Sequence, residues 1–367
     1  VRLFEYQGKD LFRKYGIPVP RSRLVRRVEE IEDAIDSVGL PAVVKAQVLA
    51  GGRGKAGGVA IVASKDEARQ AASRILDLRI GGERPTALLV ESASVNPREM
   101  YLSVTLDRGR RSFVVIASGA GGMDVEAQTG RIIVPVPLEG LTAEAARAVA
   151  SRLGILHEGY REPFVDILLK LERLSREQEC ELAEINPLAE DDRGPSLVAL
   201  DSKIILDDNA LFRHPEFARL PPEDPMEGEA AKEGFAFVRL DGDIAVVGNG
   251  AGLVLSTLDL VSDAGGRPAC FLDLGGGSQQ DRVEAALRLV RRLPNAKRVL
   301  VNIFGGITRT TDVAAGLKNV ITEEPMQPVF ARISGAEEED ARRMLEGTPI
   351  KLYPSAPEAV RAVVSNA

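Results

Sequence analysis

Histidine is nearly missing from this chain: His157 and His214 are the only two in 367 residues. A metal centre or catalytic triad that needs several imidazoles is not expected from this chain alone. Cysteine is equally scarce, with two residues. Cys180 and Cys270 stand in apolar, strand-like runs without metal-ligand spacing, so they read as buried thiols rather than as a disulfide or a zinc site. No apolar run approaches the ~20 residues that a membrane-spanning helix requires. The first residues carry Glu5, Lys9, Asp10, Arg13 and Lys14 and no apolar signal core, so a cytoplasmic location and no membrane partner are expected. The formal net charge of −7 argues against general nucleic-acid binding.

What is present is ordinary for a globular chain, with 44% hydrophobic and 28% charged residues. The length predicts two or three domains. Between Asp207 and Gly234 helix and strand periodicity both fail, and His214-Pro215, Pro221-Pro222 and Pro225 accompany an acidic run. That segment reads as a linker and puts a domain boundary near 230–236. Beyond it, strands alternate with helices. Strands are predicted at 244–248, 269–274, 298–304, 328–333 and 350–353, with helices at 253–261, 281–292, from 312, 337–346 and 356–364. Five βα units predict a parallel sheet covered on both faces, with ligands beyond the carboxyl ends of the strands.

Before the linker the pattern is mixed α/β with antiparallel hairpins. Ser64 to Glu67 is a capping box opening a helix to about Leu78. Hairpins are predicted over 100–117, around the turn Asp107 to Arg110, and over 181–205, around the turn Asp191 to Gly194. Helices are predicted over 142–153 and 164–174.

The most informative stretch runs from Val43 to Val62. A β-branched run ends in Lys45, a loop follows with Gly51, Gly52, Arg53, Gly54, Lys55, Gly57 and Gly58, and a second β-branched run closes it. Glycines let backbone N–H groups approach an anion closely, and the cations neutralise it. The pattern fits a hairpin loop folded over a polyphosphate. It is not a P-loop, because no Ser or Thr follows Lys55 and no helix starts there. A flexible hairpin tip with solvated charges would carry some of the same residues.

Other candidates are weaker alone. Glu184 and Asn186 are two apart on a predicted strand and share a face, with Asp201 on the partner strand. Such oxygen donors suit Mg²⁺ shared with nucleotide phosphates, although polar residues on a solvated face look the same. Glu91 leaves a buried strand where a carboxylate could reach an adenine amine or a ribose hydroxyl, and Glu99 opens another strand; either could be a surface acid. Gly248-Asn249-Gly250-Ala251-Gly252 is an incomplete dinucleotide fingerprint. Its weight comes from repetition, since Gly275-Gly276-Gly277 and Gly305-Gly306 also precede predicted helices, whose N-termini offer free donors to anions.

Together these residues resemble the β subunits of succinate–CoA ligases (succinyl-CoA synthetases). The resemblance is carried by Leu3 to Lys9 with Leu11-Phe12 and Tyr15 to Pro18, the loop from Lys45 to Gly58, Glu184 to Leu188, Asp208 to Arg213, Asn249 to Leu253, Phe271 to Gly277 and Val301 to Ile307. It implies an α/β fold: an N-terminal ATP-grasp domain over 1–230, then a flavodoxin-like parallel-sheet CoA-ligase domain over 236–367. It implies that Lys45, Gly52, Arg53, Gly54, Glu91, Ser94 and Glu99 contact ATP or ADP, and that Asn186 and Asp201 hold Mg²⁺. Asn249, Gly306, Ile307 and Thr308 would lie on the carboxylate-substrate side. The implied reaction is ATP + succinate + CoA to ADP + phosphate + succinyl-CoA, through an acyl phosphate and a phosphohistidine.

In this family the phosphohistidine and the CoA site belong to an α subunit, which agrees with the shortage of histidine here. Glu184 would then be the catalytic residue that orients the partner's imidazole. Ser202 replaces a glycine usual after the metal aspartate, and Thr308, Thr310 and Thr311 replace a valine, a cysteine and an acidic residue. Pro20 matches the ATP-using branch. Because Thr308 lies in the substrate loop, a malate–CoA ligase β subunit stays open, as do a non-catalytic nucleotide-sensing subunit and a stand-alone ATP-grasp ligase.

Overall fold

The computed structural model describes residues 1–94, 98–122, 130–190, 194, 196–217, 220, 224–323 and 325–366. The chain forms two compact units, Val1–Leu220 and Pro221–Ala367. Among the described residues no helix is long and apolar enough to cross a membrane.

The first unit contains α1 (Glu5–Lys14), β1 (Ser22–Val25), α2 (Ile31–Val38), β2 (Ala42–Ala46), β3 (Val59–Val62), α3 (Lys65–Leu76), β4 (Leu88–Ser92), β5 (Glu99–Asp107), β6 (Ser112–Ser118), β7 (Ile132–Pro135), α4 (Ala143–Arg152), α5 (Glu158–Glu177), β8 (Cys180–Glu190), β9 (Leu197–Ala199) and β10 (Lys203–Leu206). Two antiparallel sheets result. One runs β1-β4-β2-β3; the other runs β10-β8-β5-β6-β7, with β9 also on β8. Each has its own core. Val44, Ala46, Leu88 and Val90 pack on Ile31, Ile35 and Ile75 of α2 and α3. Leu102, Val104, Ala183 and Ile185 pack on Phe12 of α1, Val149 of α4, and Phe164 and Leu168 of α5. The alternation of apolar residues along each strand directs one face to its helices.

The expected hairpins form. β2 pairs with β3 through Lys45↔Val59, and β5 with β6 through Asp107↔Ser112. Most of the predicted turn 191–194 lies outside the described residues. The Ser64 side chain caps α3 by accepting from the Glu67 amide at 3.2 Å. One helix departs from expectation: α5 starts at Glu158, six residues before the predicted Phe164. Its first turns are polar, so apolar spacing does not reveal them, and His157 caps them by accepting from the Gly159 amide at 3.1 Å on Nδ1. Pro163 sits inside the helix.

The second unit is a six-stranded sheet in the order β11-β13-β12-β14-β15-β16. Its elements are α6 (Pro225–Lys232), β11 (Ala236–Arg239), β12 (Ile244–Gly248), α7 (Ala251–Asp263), β13 (Pro268–Asp273), α8 (Gln280–Arg291), β14 (Arg298–Gly305), α9 (Thr310–Glu323), β15 (Val329–Gly335), α10 (Glu338–Leu345), β16 (Lys351–Leu352) and α11 (Ala356–Ser365). The five strands from β12 onward are parallel in the doubly wound 2-1-3-4-5 order. Successive residues of β12 point to opposite cores. Ala245 and Val247 meet Val283, Leu287 and Val313 of α8 and α9, whereas Ile244 and Val246 meet Val254, Val261 and Val360 of α7 and α11.

Three elements fall in or just beyond the stretch read as a linker. Residues 208–213 form a 3-10 helix, and α6 is capped by Asp224 with Pro225 in its first turn. β11 is an antiparallel edge strand on β13, just past the linker. All are too short to build a period of their own.

Both cysteines are buried and unpaired, and burial pushes each thiol from 9.0 up to about 12. Neither is expected to react with a thiol reagent in the native chain near pH 8, and both should react after unfolding. Rapid modification of either thiol in the native state would show that these cores are open.

Candidate active site

Lys45 is the next-to-last residue of β2, the strand that leads into the glycine loop. Its ammonium does not stand free in that loop. It lies 2.9 Å from Glu5 Oε1, 2.7 Å from Glu91 Oε2 and 2.6 Å from the Leu200 carbonyl. Lys9, on α1, points to the same place and has no exposed surface. Its ammonium is 2.8 Å from Glu5 Oε1, 2.6 Å from Glu91 Oε2 and 2.7 Å from the Leu200 carbonyl. Arg53 folds back from the loop, 2.6 Å from Glu5 Oε2 and 2.8 Å from Asp201 Oδ2, and also donates to the Ala46 carbonyl at 3.0 Å. Gln47 completes the floor by accepting from the Tyr6 amide at 3.1 Å.

Three carboxylates therefore face three cations between the two sheets of the first unit. Burial pushes the Glu5 carboxyl up, but Lys45, Lys9 and Arg53 outweigh it and hold the group well below 4.5. Burial favours a neutral Lys45, yet Glu5 and Glu91 keep it protonated, raised above its ordinary value. Arg53 is likewise raised, by Asp201 and Glu5. Burial and the nearby Glu5 charge push the Asp201 carboxyl up.

The loop beyond Lys45 is held by Ala56 donating to the Gly52 carbonyl at 3.0 Å and Gly58 to the Arg53 carbonyl at 2.9 Å. Gly52 has φ +74°, a conformation that favours glycine, and Gly52 and Gly54 are exposed. Glu91 is placed otherwise than its sequence position implies. Its carboxylate turns inward to Lys9 and Lys45 and is 1% exposed, so it is not presented to an adenine amine or a ribose hydroxyl. Ser94, two residues past β4, and Glu99, the first residue of β5, are half-buried.

On the second sheet, the registers Glu184↔Lys203 and Leu188↔Ala199 set Asn186 opposite Asp201. Asp201 lies in the gap between β9 and β10, where its Oδ1 accepts from the Ser202 amide at 2.7 Å. Asn186 accepts from the Gly122 amide at 2.7 Å, and the Glu99 carboxylate lies against Gly122, 3.0 Å from where a Cβ would stand. The run Gly119 to Gly122 after β6 carries the same glycine-after-strand signal as the other loops, but only the fold brings it to Asn186. Among the described residues no three His, Cys, Asp or Glu side chains gather as a metal site. Two facing oxygen donors nevertheless fit a hard cation that takes its other ligands from phosphates and water.

Glu184 is half-buried and accepts from the Tyr101 hydroxyl at 3.0 Å. Burial, helped by the Asp201 charge, raises its carboxyl above 4.5, and burial beside Glu184 pushes the Tyr101 hydroxyl up to about 12. Tyr101 gives no sequence signal, since a tyrosine on an alternating strand looks like core.

In the second unit the predicted loops meet at the carboxyl ends of the strands. The Asn249 side chain accepts from the Phe304 amide at 2.9 Å and donates to the Phe304 carbonyl at 2.9 Å and to Thr308 Oγ1 at 3.2 Å. Thr308 Oγ1 also accepts from the Gly277 amide at 3.0 Å. Asp273 accepts from the Gly250 and Gly275 amides at 2.5 and 2.8 Å. Gly306 and Ile307 are exposed, Ile307 at 87%, whereas Thr308 is buried. Thr308 thus joins three loops and does not present its hydroxyl outward. An asparagine and a threonine in glycine loops are common enough that only the fold shows they bond to each other.

Residues 2–190 match the ATP-grasp domain model and residues 247–365 the CoA-ligase model. The chain is 43% identical over 373 residues to the β subunit of an ADP-forming succinate–CoA ligase from Ignicoccus hospitalis, covering 99% of this chain and 98% of that one. It is 41% identical to the β subunit of a GDP-forming succinate–CoA ligase from Thermus thermophilus, covering 100% and 98%. Among solved structures it is similar to ATP citrate lyase from Methanothrix soehngenii, with a TM-score of 0.68, 20% identity and 99% of both chains covered, a likeness of fold.

Two outcomes follow. Glu5→Gln leaves buried cations short of a partner and should cost about 3–5 kcal/mol near neutral pH. A depressed carboxyl stabilises the fold fully above its unfolded value near 4.5 and loses that contribution as the pH falls through its folded value. The gap in Tm between wild type and Glu5→Gln should therefore shrink in acid; a gap that is constant from neutral pH to about pH 3 contradicts the assignment. Thr308→Val removes the acceptor for two donors and should cost about 1–3 kcal/mol by denaturant unfolding, with Thr308→Ser close to wild type.

Proposed function

The chain belongs to the succinate–CoA ligase β-subunit family, and from that premise we propose that it is the nucleotide-binding subunit of an ATP-using succinate–CoA ligase. The observation that carries this reading is that Lys45 and Arg53 meet at the foot of the glycine loop, held by Glu5, Glu91 and Asp201, in a chain related end to end to such β subunits. The enzyme is an acid–thiol ligase that works with an α subunit carrying the phosphohistidine and the CoA site.

Lys45, Arg53 and the backbone of Gly52 and Gly54 take the polyphosphate. Ser94 and Glu99 border the rest of the nucleotide, with Glu91 contributing from beneath through Lys45. Asn186 and Asp201 would hold Mg²⁺, which when bound screens charge on the phosphate oxygens. Asp201 must first part from Arg53, so both become available together: Arg53 for phosphate, Asp201 for the cation. Glu184 accepts the N–H of the partner's imidazole, fixes its tautomer and leaves the other nitrogen as nucleophile.

The γ-phosphoryl passes from ATP to that nitrogen with release of ADP. It then passes to a succinate carboxylate oxygen, restoring the histidine and giving succinyl phosphate. The CoA thiolate attacks the acyl carbon and phosphate leaves. This chain's part in the later steps is positional. Asn249 and Thr308 hold the loop that exposes Gly306 and Ile307 toward the acid, close to the N-terminus of α9, where unpaired amides favour anions.

Co-expression with the α subunit and an assay of CoA-dependent nucleoside diphosphate release tests this. ATP should outperform GTP, succinate should outperform malate, and the chain alone should not turn over. Glu184→Gln and Asp201→Ala should each lower kcat by about 100-fold or more. Faster turnover with malate would make this a malate–CoA ligase, and unchanged turnover in both variants would make it a sensing subunit.

A further inference from the structure

Lys9 lies outside the residues given a role toward the nucleotide, yet it takes all three acceptors of Lys45, namely Glu5 Oε1, Glu91 Oε2 and the Leu200 carbonyl, and Glu91 Oε1 at 2.7 Å besides. Two ammonium groups crowded onto one set of buried oxygens repel each other. One lysine would be enough to anchor α1 to the sheet, so duplication at that cost calls for a reason. The two differ in exposure. Lys9 is sealed, whereas the Lys45 side chain is 11% exposed and stands where β2 enters the glycine loop.

We propose that Lys9 is a positioning residue for nucleotide binding: it keeps Glu5 and Glu91 paired so that Lys45 can turn to the polyphosphate without orphaning two buried carboxylates. Lys9 itself never touches the nucleotide. With Lys9 present, the move of Lys45 exchanges one anionic partner for another. Without it, Lys45 becomes the chief counter-ion of two buried carboxylates and is held back, because an unpaired buried charge is costly. The inference rests on the assignment of Lys45 to the polyphosphate.

The test is equilibrium binding of Mg-ADP to the assembled complex, with KM for nucleotide and for CoA measured alongside. Lys9→Met, which keeps length and apolar volume, should weaken nucleotide binding at least tenfold and leave KM for CoA within about twofold, with Lys9→Arg intermediate. Adding Glu5→Gln to Lys9→Met should recover part of the lost affinity, because one of the carboxylates holding Lys45 becomes neutral. A Lys9→Met complex that loses thermal stability but binds nucleotide as wild type overturns the inference and leaves Lys9 an anchor only. If Lys9→Met does not fold, the wild-type full chain labelled with ¹⁵N at the lysine amines decides. Mg-ADP should shift the Lys45 signal and leave that of Lys9 in place, and a shift of both or of neither counts against the proposal. Lys45→Met separates the underlying reading. If it binds nucleotide normally, Lys45 is not at the phosphates and both fall; if it loses binding while Lys9→Met does not, only the inference falls.

Discussion

Six charged side chains drawn together between two sheets are the interaction on which the first unit depends. Glu5 and Lys9 come from α1, Lys45 and Glu91 from one sheet, Arg53 from the glycine loop, and Asp201 from beside the other sheet. Each sheet has its own apolar core, so apolar packing explains each half by itself but not how α1, the loop and the strand ends come to a common point. The charges supply that. A buried carboxylate without a partner is too costly to keep, so each residue constrains the others to its position. On the proposed assignment of Lys45 and Arg53, an arriving polyphosphate would compete with these carboxylates for the cations.

The second unit uses neutral groups to the same end. The Asn249 amide, the Thr308 hydroxyl and the Asp273 carboxylate pair with backbone groups at the ends of neighbouring strands. Parallel strands flanked by helices leave these loops without a ladder of their own, and side chains take over the hydrogen bonding. The outcome is a rigid rim that exposes Gly306 and Ile307. Thr308 acts on that rim, so its hydroxyl bears first on the order of the loops it joins.

Relationship and fold speak to different parts of this account. Relatives near 40% identity over the whole chain include both ADP-forming and GDP-forming β subunits, so kinship fixes the reaction class more firmly than the nucleotide. The likeness to an ATP citrate lyase at 20% identity shows how far this arrangement of elements extends with different side chains. The reading of the site therefore rests on this chain's own contacts.

Local rules were enough for much of the architecture. The alternation of β-branched runs with glycine loops and amphipathic segments placed β12 to α11 within about two residues, because strand and helix periods are written in neighbouring positions. The hairpins β2–β3 and β5–β6, the cap at Ser64 and the family resemblance were legible for the same reason. The first turns of α5, the short α6 and the edge strand β11 were not, since four to eight residues with little apolar periodicity carry no pattern. The site was half legible. Lys45, Arg53 and the facing pair Asn186 and Asp201 could be named from type and spacing. What became of them could not. Glu5 and Lys9 look in sequence like the solvated face of a first helix, Glu91 like a free carboxylate, and Thr308 like a loop hydroxyl. Their partners lie as much as 191 residues away, as from Lys9 to the Leu200 carbonyl. A sequence records what a charge is and which elements its neighbours build. Whether that charge meets water, substrate or a buried counter-ion is decided only when distant segments pack and exclude the solvent.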